Sequence, residues 1–303
     1  MAAMAASIGL PALSYANDSQ KSDKGLSIHI FSKHLQFLDY DGMAEAAAEI
    51  GFDGVDLSVR PKGHVLPENV TQDLPLAVES LQKVGFQPKL MASGITSVKN
   101  EYTEAVLRTA ANLGFQFYRL GYYRYSDDHT IPKDLALIQK ELIGLAALNK
   151  RLGIKAAFQN HAGSYVGASI WEIWELLKDN LDDFIGCQYD IRHATVEGGQ
   201  SWPTGLRLIT PKINSIVLKD YKWQQEKGKW SLLNVPIGEG MVDFKAYFAL
   251  LKKHQINVPV SMHCEYDLGG AEHGERKIAI PQAEVFKAMK KDLDKVRELW
   301  ENA

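Results

Sequence analysis

From residue 26 onward, short apolar runs alternate regularly with amphipathic stretches. Short apolar runs bounded by turn residues predict buried strands, and apolar residues at helical spacing predict helices. The predicted strands are 27–31, 54–58, 87–92, 115–121, 155–159, 186–190, 215–219 and 258–265. The predicted helices lie near 41–50, 73–84, 101–112, 133–152, 169–180, 204–209, 243–254 and 281–301. Eight such βα units, joined by right-handed crossovers, favour an α/β protein with a single closed (β/α)8 barrel, the TIM barrel.

Length and composition support one globular domain over residues 26–303. A barrel of this kind needs about 250 residues, and no Pro/Gly/Ser-rich linker divides the chain of 303 residues. No G-x-G-x-x-G motif follows the first predicted strand, which argues against a dinucleotide-binding fold. The net charge of −3 and the dispersed lysines argue against nucleic acid as a partner.

Residues 1–25 read as a signal-like or disordered segment. The first sixteen residues are small and apolar and end in Ser14-Tyr15-Ala16, which resembles an export cleavage site, although no Lys or Arg precedes them. We therefore expect an exported, periplasmic protein, with the cytoplasm as the alternative. The segment is too short to cross a bilayer, and no other span is predicted. Cys187 and Cys264 fall on non-adjacent predicted strands and are expected to be small buried hydrophobic residues, not a disulfide.

Polar side chains cluster at the ends of the last four predicted strands. Active sites of these barrels are built at the carboxyl ends of the strands, and side chains along a strand alternate between the two faces. This alternation predicts that the inward side chains there include Gln159, His161, Gln188, Asp190, Val217, Lys219, Ser261, His263 and Glu265. Carboxylates, imidazoles and an amide oxygen suit one divalent ion, with Mn, Mg, Co and Zn all compatible. The predicted metal ligands are Asp190, Glu265, Gln159 and His263.

Six segments carry a resemblance to a known family. They are GMAEAAAEIGFDGVDL (42–57), FQNHAG (158–163), YDIRHA (189–194), VLKD (217–220), VPIGEGMVDF (235–244) and SMHCEY (261–266). In order and spacing, the chain resembles the xylose isomerase-like sugar phosphate isomerase/epimerase family across residues 26–300. The resemblance implies one divalent metal held by a Glu, an Asp, a His and a Glu on strands five to eight, with the two Glu residues exchanging a substrate proton.

The resemblance extends to individual positions, with two departures. Asp190 and Glu265 match the Asp and the last Glu of that set, and His193 matches a residue that contacts substrate hydroxyls. Lys219 and Asp220 match a Lys-Asp pair after strand seven.

The strand-five Glu is Gln159 here, and the strand-seven His is Val217. Valine cannot bind a metal, and a glutamine amide cannot act as a general base. The proton exchange of the family therefore cannot operate unchanged. His263 or His161 could supply the missing ligand or base.

Further substrate contacts are expected around the barrel mouth. Aromatic rings beside polar groups suit stacking on a sugar ring. The predicted substrate-binding residues are His161, Asp56, Arg60, Arg119, Tyr123 and, on the long loop after strand seven, Trp223.

Three functions remain open. The first is a sugar isomerase or epimerase that uses metal-assisted proton transfer next to a carbonyl, with Glu265 as the base and with His193 and Lys219 orienting the substrate. The second is a metal-dependent lyase or hydrolase of an oxidised glycoside, which needs only one strong base. The third is a non-catalytic sugar-binding barrel with a degenerate metal site, an alternative that Val217 favours. The expected partner is a small-molecule sugar, and a homodimer is possible.

Overall fold

Eight parallel strands close into a barrel in the computed structural model, which describes residues 25–179 and 183–303. The barrel strands are β1 (Ile28–Phe31), β2 (Gly54–Val59), β3 (Leu90–Ser93), β4 (Phe117–Arg119), β5 (Lys155–Gln159), β6 (Ile185–Asp190), β7 (Ile213–Leu218) and β10 (Val260–Met262). They follow one another around the barrel in chain order, and β10 closes it by pairing with β1. The predicted (β/α)8 architecture is confirmed.

Helices surround the barrel within the described residues. They are α1 (Tyr40–Ile50), α2 (Val70–Lys83), α3 (Thr103–Asn112), α4 (Ile131–Leu152), α5 (Ile170–Leu177), α6 (Ile191–Gly198), α7 (Trp202–Ile209), α8 (Phe244–Lys253) and α9 (Gln282–Glu301). Helix α6 was not predicted from the sequence. It begins directly after β6, and the Asp190 side chain caps it by accepting a hydrogen bond from His193 N at 3.1 Å. The abrupt change from strand to helix left no loop to mark the boundary.

Two faces of the strands have different surroundings. Tyr118 on β4 donates its hydroxyl hydrogen bond to Asn149 of α4, and Tyr189 on β6 stacks on Tyr247 of α8, so both rings pack between barrel and helices. The next residues in the chain, Arg119 and Asp190, are also buried but carry charge. Alternation along the strands therefore directs apolar side chains to the helices and polar ones to the barrel axis.

The long loop after β7 contains a hairpin that the sequence did not reveal. Strands β8 (Asp220–Glu226) and β9 (Lys229–Val235) pair with each other in antiparallel fashion, apart from the barrel. Lys227 and Gly228 have positive φ angles of 49° and 80°, as a two-residue hairpin turn requires. The hairpin is largely exposed, with Trp230 at 65%. It therefore lacks the apolar run by which a buried strand is recognised.

Asp220 fixes the return of this hairpin to the barrel. Its carboxylate accepts hydrogen bonds from the backbone N–H groups of Gly238, Gly240 and Val242. A Cβ at Gly240 would lie 2.2 Å from Asp220 Oδ1, so only glycine fits there. The VPIGEG segment (235–240) thus holds the end of the hairpin next to Asp220 at the barrel.

The described residues also test the prediction for the two cysteines. Cys187 and Cys264 are both free and buried, as predicted. No helix of the described residues is both long enough and apolar enough to cross a bilayer. The predicted signal-like segment, residues 1–25, lies outside the described residues except for its last position.

Candidate active site

A buried lysine between two carboxylates forms the centre of the candidate site. Lys219 follows β7, and its Nζ lies 3.2 Å from Asp190 Oδ2 and 3.1 Å from Glu265 Oε2. Lys219 is only 3% exposed. Burial disfavours its charged form, but the two carboxylates more than offset this and raise the pKa of Lys219 above its ordinary value. The lysine is therefore a permanent ammonium at neutral pH.

Asp190, at the end of β6, has both carboxylate oxygens engaged. Oδ1 accepts the N–H of His193, and Oδ2 accepts from Gln159 Nε2 at 2.9 Å and forms an ion pair with Lys219 Nζ at 3.2 Å. Asn160 holds the same residue by its backbone, accepting from Asp190 N and donating to Asp190 O. These bonds tie the ends of β5 and β6 together and fix the carboxylate in place.

The amide of Gln159 has a determined orientation. Its Oε1 accepts from Arg119 at 3.2 Å and from the Tyr122 hydroxyl at 2.8 Å. Because an arginine can only donate, the atom that it contacts must be the amide oxygen. The NH₂ group therefore faces Asp190, and the carbonyl faces away from it.

Glu265, which follows β10, contacts a second lysine. Lys33 Nζ lies 3.2 Å from Oε1, while Lys219 contacts Oε2. Burial alone would raise the pKa of Glu265, but the two ammonium groups hold it well below its usual value. Glu265 is therefore ionised at neutral pH and, unlike Asp190, its side chain remains 22% exposed. It is the carboxylate of the pair that a substrate can reach.

His193 presents an N–H group beside these charges. Arg192 donates to His193 Nδ1 at 3.0 Å, so the proton of the neutral ring lies on Nε2. Nε2 is 3.5 Å from Asp190 Oδ2 and is buried without a hydrogen-bond partner among the described residues. Burial and the charge of Lys219 lower the pKa of His193 well below its ordinary value. His193 is thus a neutral donor with a free N–H.

A polar chain runs from His263 into the barrel. His263 Nδ1 lies 3.5 Å from Glu265 Oε1, and its Nε2 is 3.1 Å from Ser261 Oγ. Ser261 in turn contacts Asp56 Oδ2 at 2.6 Å. Burial lowers the pKa of His263 to about 3 and raises that of Asp56, so His263 is neutral. Asp56 is buried and is linked to Glu265 through Ser261 and His263, and its expected direct contact with substrate stays a prediction.

Aromatic rings form one wall of the site. The centroid of the His161 ring lies 4.1 Å from the ring centroid of His193, 4.9 Å from that of Tyr122 and 4.7 Å from that of Tyr165. His161 Nδ1 is 2.9 Å from the carbonyl of Ala162, which leaves Nε2 as an acceptor when Nδ1 carries the proton. Burial and Lys219 lower the pKa of His161, so this ring is also neutral.

Two predicted substrate-binding residues lie outside this cluster. The Tyr123 hydroxyl donates to Thr96 O at 2.6 Å, and its ring stacks on Phe158. Tyr122, one residue earlier, contacts the site instead, because β4 ends at Arg119 and strand alternation no longer applies beyond it. Trp223 is 41% exposed on β8, where its backbone contacts Met241.

Asn234, not Trp223, connects the hairpin to the site. Its Oδ1 accepts from Arg192 at 2.9 Å, and its Nδ2 donates to the backbone carbonyl of Glu265.

Lys33 was also missed by sequence reasoning, although the rule that polar residues at strand ends build the site applies equally to the end of β1. The predicted substrate-binding residues Arg60 and Arg119 both lie beside Phe31 at the end of β1. Their guanidinium groups are 5.3 Å and 5.4 Å from the centroid of the Phe31 ring.

The side chains do not fit a divalent ion as they are arranged. Lys219 and Lys33 take the oxygens of Glu265, and Gln159 turns its NH₂ group, not its carbonyl, toward Asp190. Val217 is buried and has no donor. Within residues 25–179 and 183–303, no three His, Cys, Asp or Glu side chains are grouped to hold a metal.

Residues 44–289 match the family described as xylose isomerase-like TIM barrel, which covers most of the chain. The protein therefore belongs to this family. The predicted resemblance is confirmed.

The proteins similar to this chain include a dehydratase and two sugar epimerases. An inosose dehydratase of Salmonella typhimurium (strain LT2) is 25% identical over 252 residues, which span 75% of this chain and 82% of that protein. A D-allulose 3-epimerase from Methylomonas sp. is 15% identical, with a TM-score of 0.67 over 90% of this chain and 98% of its own. A 3-keto-D-glucoside 4-epimerase from E. coli is 13% identical, with a TM-score of 0.66 over 89% of this chain and its whole own chain. At these identities, the two solved structures establish the shared fold.

Proposed function

We propose that this protein is an enzyme, an isomerase or epimerase of a sugar or related polyol that carries a carbonyl group. The observation on which this proposal rests is that the ionised, partly exposed Glu265 contacts the buried ammonium of Lys219, beside the free N–H of His193. A base next to fixed hydrogen-bond donors is what proton removal beside a carbonyl needs. The sugar epimerases that share the fold support the same reaction class.

In the proposed reaction, the substrate carbonyl oxygen accepts hydrogen bonds from Lys219 and His193. Glu265 removes the proton from the neighbouring carbon, and the electron pair of the C–H bond moves to form an enediolate whose oxygen charge these donors stabilise. The low pKa of Glu265 makes it a weak base. The same ammonium that lowers it also acidifies the substrate C–H, which offsets the loss.

Return of the proton decides the product. An isomerase delivers it from Glu265 to the former carbonyl carbon, while the hydroxyl proton of the neighbouring carbon passes to the former carbonyl oxygen. An epimerase replaces the proton on the opposite face of the same carbon. His161 is the proposed second acid/base group for the latter, because its Nε2 is free when Nδ1 bonds Ala162 O. The wall formed by His161, Tyr122 and Tyr165 would bind the apolar face of the sugar. The divalent ion implied by the sequence resemblance has no step in this proposal, because the side chains do not fit it.

A lyase is the second candidate, favoured by the similarity to inosose dehydratase. Elimination of water begins with the same proton removal and needs only one base, which agrees with Gln159 in place of a second carboxylate. A non-catalytic sugar-binding barrel is the remaining alternative.

Product analysis distinguishes these functions. The purified protein is incubated with ketohexoses, cyclic keto-polyols and 3-keto-glucosides, and the products are identified by NMR and mass spectrometry. A new stereoisomer or positional isomer of unchanged mass supports the proposal, whereas a product lighter by one water supports the lyase. Binding of a sugar without any product in the whole panel supports the binding protein and contradicts both enzymes.

Export and pairing of two copies remain part of the proposal from the sequence. Cell fractionation tests the periplasmic location. Light scattering on the purified protein tests the homodimer.

A further inference from the structure

The four carboxylate oxygens at the centre of the site are all occupied by the protein's own donors. Asp190 accepts from the His193 backbone on one oxygen, and on the other it accepts from Gln159 and forms an ion pair with Lys219. Glu265 contacts Lys33 through Oε1 and Lys219 through Oε2. An ion bound by both residues would have to displace these partners and approach the buried ammonium of Lys219 closely.

Neighbouring positions exclude the alternative ligands. The carbonyl of Gln159 is held by Arg119 and Tyr122, both donors, so turning the amide over would place its NH₂ group against a guanidinium. Val217 lies on β7 two residues before Lys219 and is fully buried. Because side chains alternate along a strand, Val217 and Lys219 point to the same face. The first cannot bind a metal ion, and the second carries a positive charge.

We propose that the Lys219 ammonium is the resident cation of this site and that the site binds and uses no divalent metal. The ammonium lies between Asp190 and Glu265, reduces the repulsion between them, and donates to the substrate oxygen that a metal would polarise. The binding part of this inference stands alone; the catalytic part rests on the proposed function. No redox step or further reactant is involved.

Manganese titration followed by electron paramagnetic resonance tests the binding part directly. The wild-type protein is stripped with chelator and titrated with Mn²⁺, and the signal of the free ion is followed. We expect the wild type to leave the ion free up to millimolar concentration. The double variant Lys219→Ser, Val217→His removes the ammonium and adds an imidazole. We expect this variant to bind Mn²⁺ at least about 100-fold more tightly than the wild type, because an ammonium beside both carboxylates strongly repels a divalent cation.

Matched controls isolate the position of the charge. Lys33→Ser removes the other lysine that contacts Glu265 but leaves the ammonium between the carboxylates, and we expect it to bind Mn²⁺ as weakly as the wild type. Circular dichroism confirms that each variant is folded. Micromolar Mn²⁺ binding by the wild type would overturn the inference, and so would a folded double variant that binds no better than wild type.

The wild-type titration needs no variant, so a variant that does not fold leaves the inference testable. Elemental analysis of protein purified without chelator is a second readout, with less than one-tenth equivalent of divalent metal expected. Absence of isomerase activity in the product analysis, with no Mn²⁺ binding, would reject the proposed function but keep Lys219 as the cation. Activity that vanishes with chelator and returns with metal would reject the cation and keep the proposed function.

Discussion

Two inward carboxylates of the same barrel, Glu265 and Asp56, have opposite electrostatics. Lys219 and Lys33 hold the pKa of Glu265 well below its usual value, whereas burial raises that of Asp56, whose close partner is the Ser261 hydroxyl. Both follow from the rule that desolvation disfavours charge and a nearby opposite charge restores it. A carboxylate at a strand end is therefore not by itself a reactive group. The lysines around it decide its role.

The largest expected effect comes from removing the base. Glu265→Gln keeps the shape and deletes the carboxylate, so turnover is expected to fall by about 10³-fold, in the range of lost general-base catalysis. Asp56→Asn removes the other carboxylate and is expected to lower turnover less than about 10-fold, since it supports Glu265 only through Ser261 and His263. Steady-state kinetics on the substrate found by product analysis measures both. Equal losses in the two variants would contradict the contrast drawn between them.

Removal of the ammonium is expected to affect both turnover and stability. Lys219→Met leaves the buried Asp190 and the partly exposed Glu265 side by side without their shared cation, and breaking a buried ion pair costs about 3–5 kcal/mol. We expect urea unfolding to show a loss of this order. Lys33→Met serves as the control, and the loss there should be under about 1 kcal/mol because Lys33 is more exposed and has one carboxylate partner. A Lys219 variant as stable as the control would show that the central ion pairs are weak.

The positioning of Glu265 by its polar chain predicts a smaller effect. His263→Phe fills the same space without a nitrogen beside Glu265 or Ser261 and is expected to lower turnover by about 10-fold, with little change in KM. A normal turnover number would show that the two lysines alone hold Glu265 in place. A fall in kcat with an unchanged KM indicates positioning of Glu265, whereas a rise in KM with an unchanged kcat indicates substrate binding.

A third buried acid provides the weakest and most specific test. Asp292 of α9 contacts Cys264, next to Glu265, and burial raises its pKa to about 6. Because this folded-state pKa lies above the ordinary value of about 4, the protonated form stabilises the fold at low pH, and this contribution is lost as pH rises through 6. Asp292→Asn should therefore be more stable relative to wild type at pH 8 than at pH 4.5. Urea unfolding at the two pH values measures the difference, and a difference independent of pH would contradict the raised pKa.

The parts of the site that could be predicted from the sequence are those fixed by strand periodicity. Gln159 and Asp190 are the last residues of β5 and β6, Lys219 directly follows β7, and His263 and Glu265 follow β10. These strands are parallel, so the five side chains meet at one end of the barrel. This is a local property of backbone geometry. Beyond a strand end no pairing maintains the alternation: Glu265, three residues after β10, still meets Lys219, whereas Tyr122 and not Tyr123 contacts the site after β4.

The parts that could not be predicted depend on contacts between distant residues. Which oxygen or nitrogen of Gln159 faces Asp190 is decided by Arg119 and Tyr122, which come from another strand. The position of the Lys219 ammonium depends on four rotatable bonds and on two carboxylates from other βα units. The sequence therefore placed a metal among these ligands, a prediction that the arrangement of their atoms does not support.

The central claim is that Glu265 and Lys219 together move a proton next to a substrate carbonyl. The most direct measurement is solvent deuterium exchange, followed by NMR, with chelator-treated wild-type protein and a substrate in D₂O. The account predicts deuterium at the carbon beside the carbonyl in wild type without added metal, and none with Glu265→Gln or Lys219→Met. Exchange that persists in both variants, or that occurs only after a divalent metal is added, would contradict it.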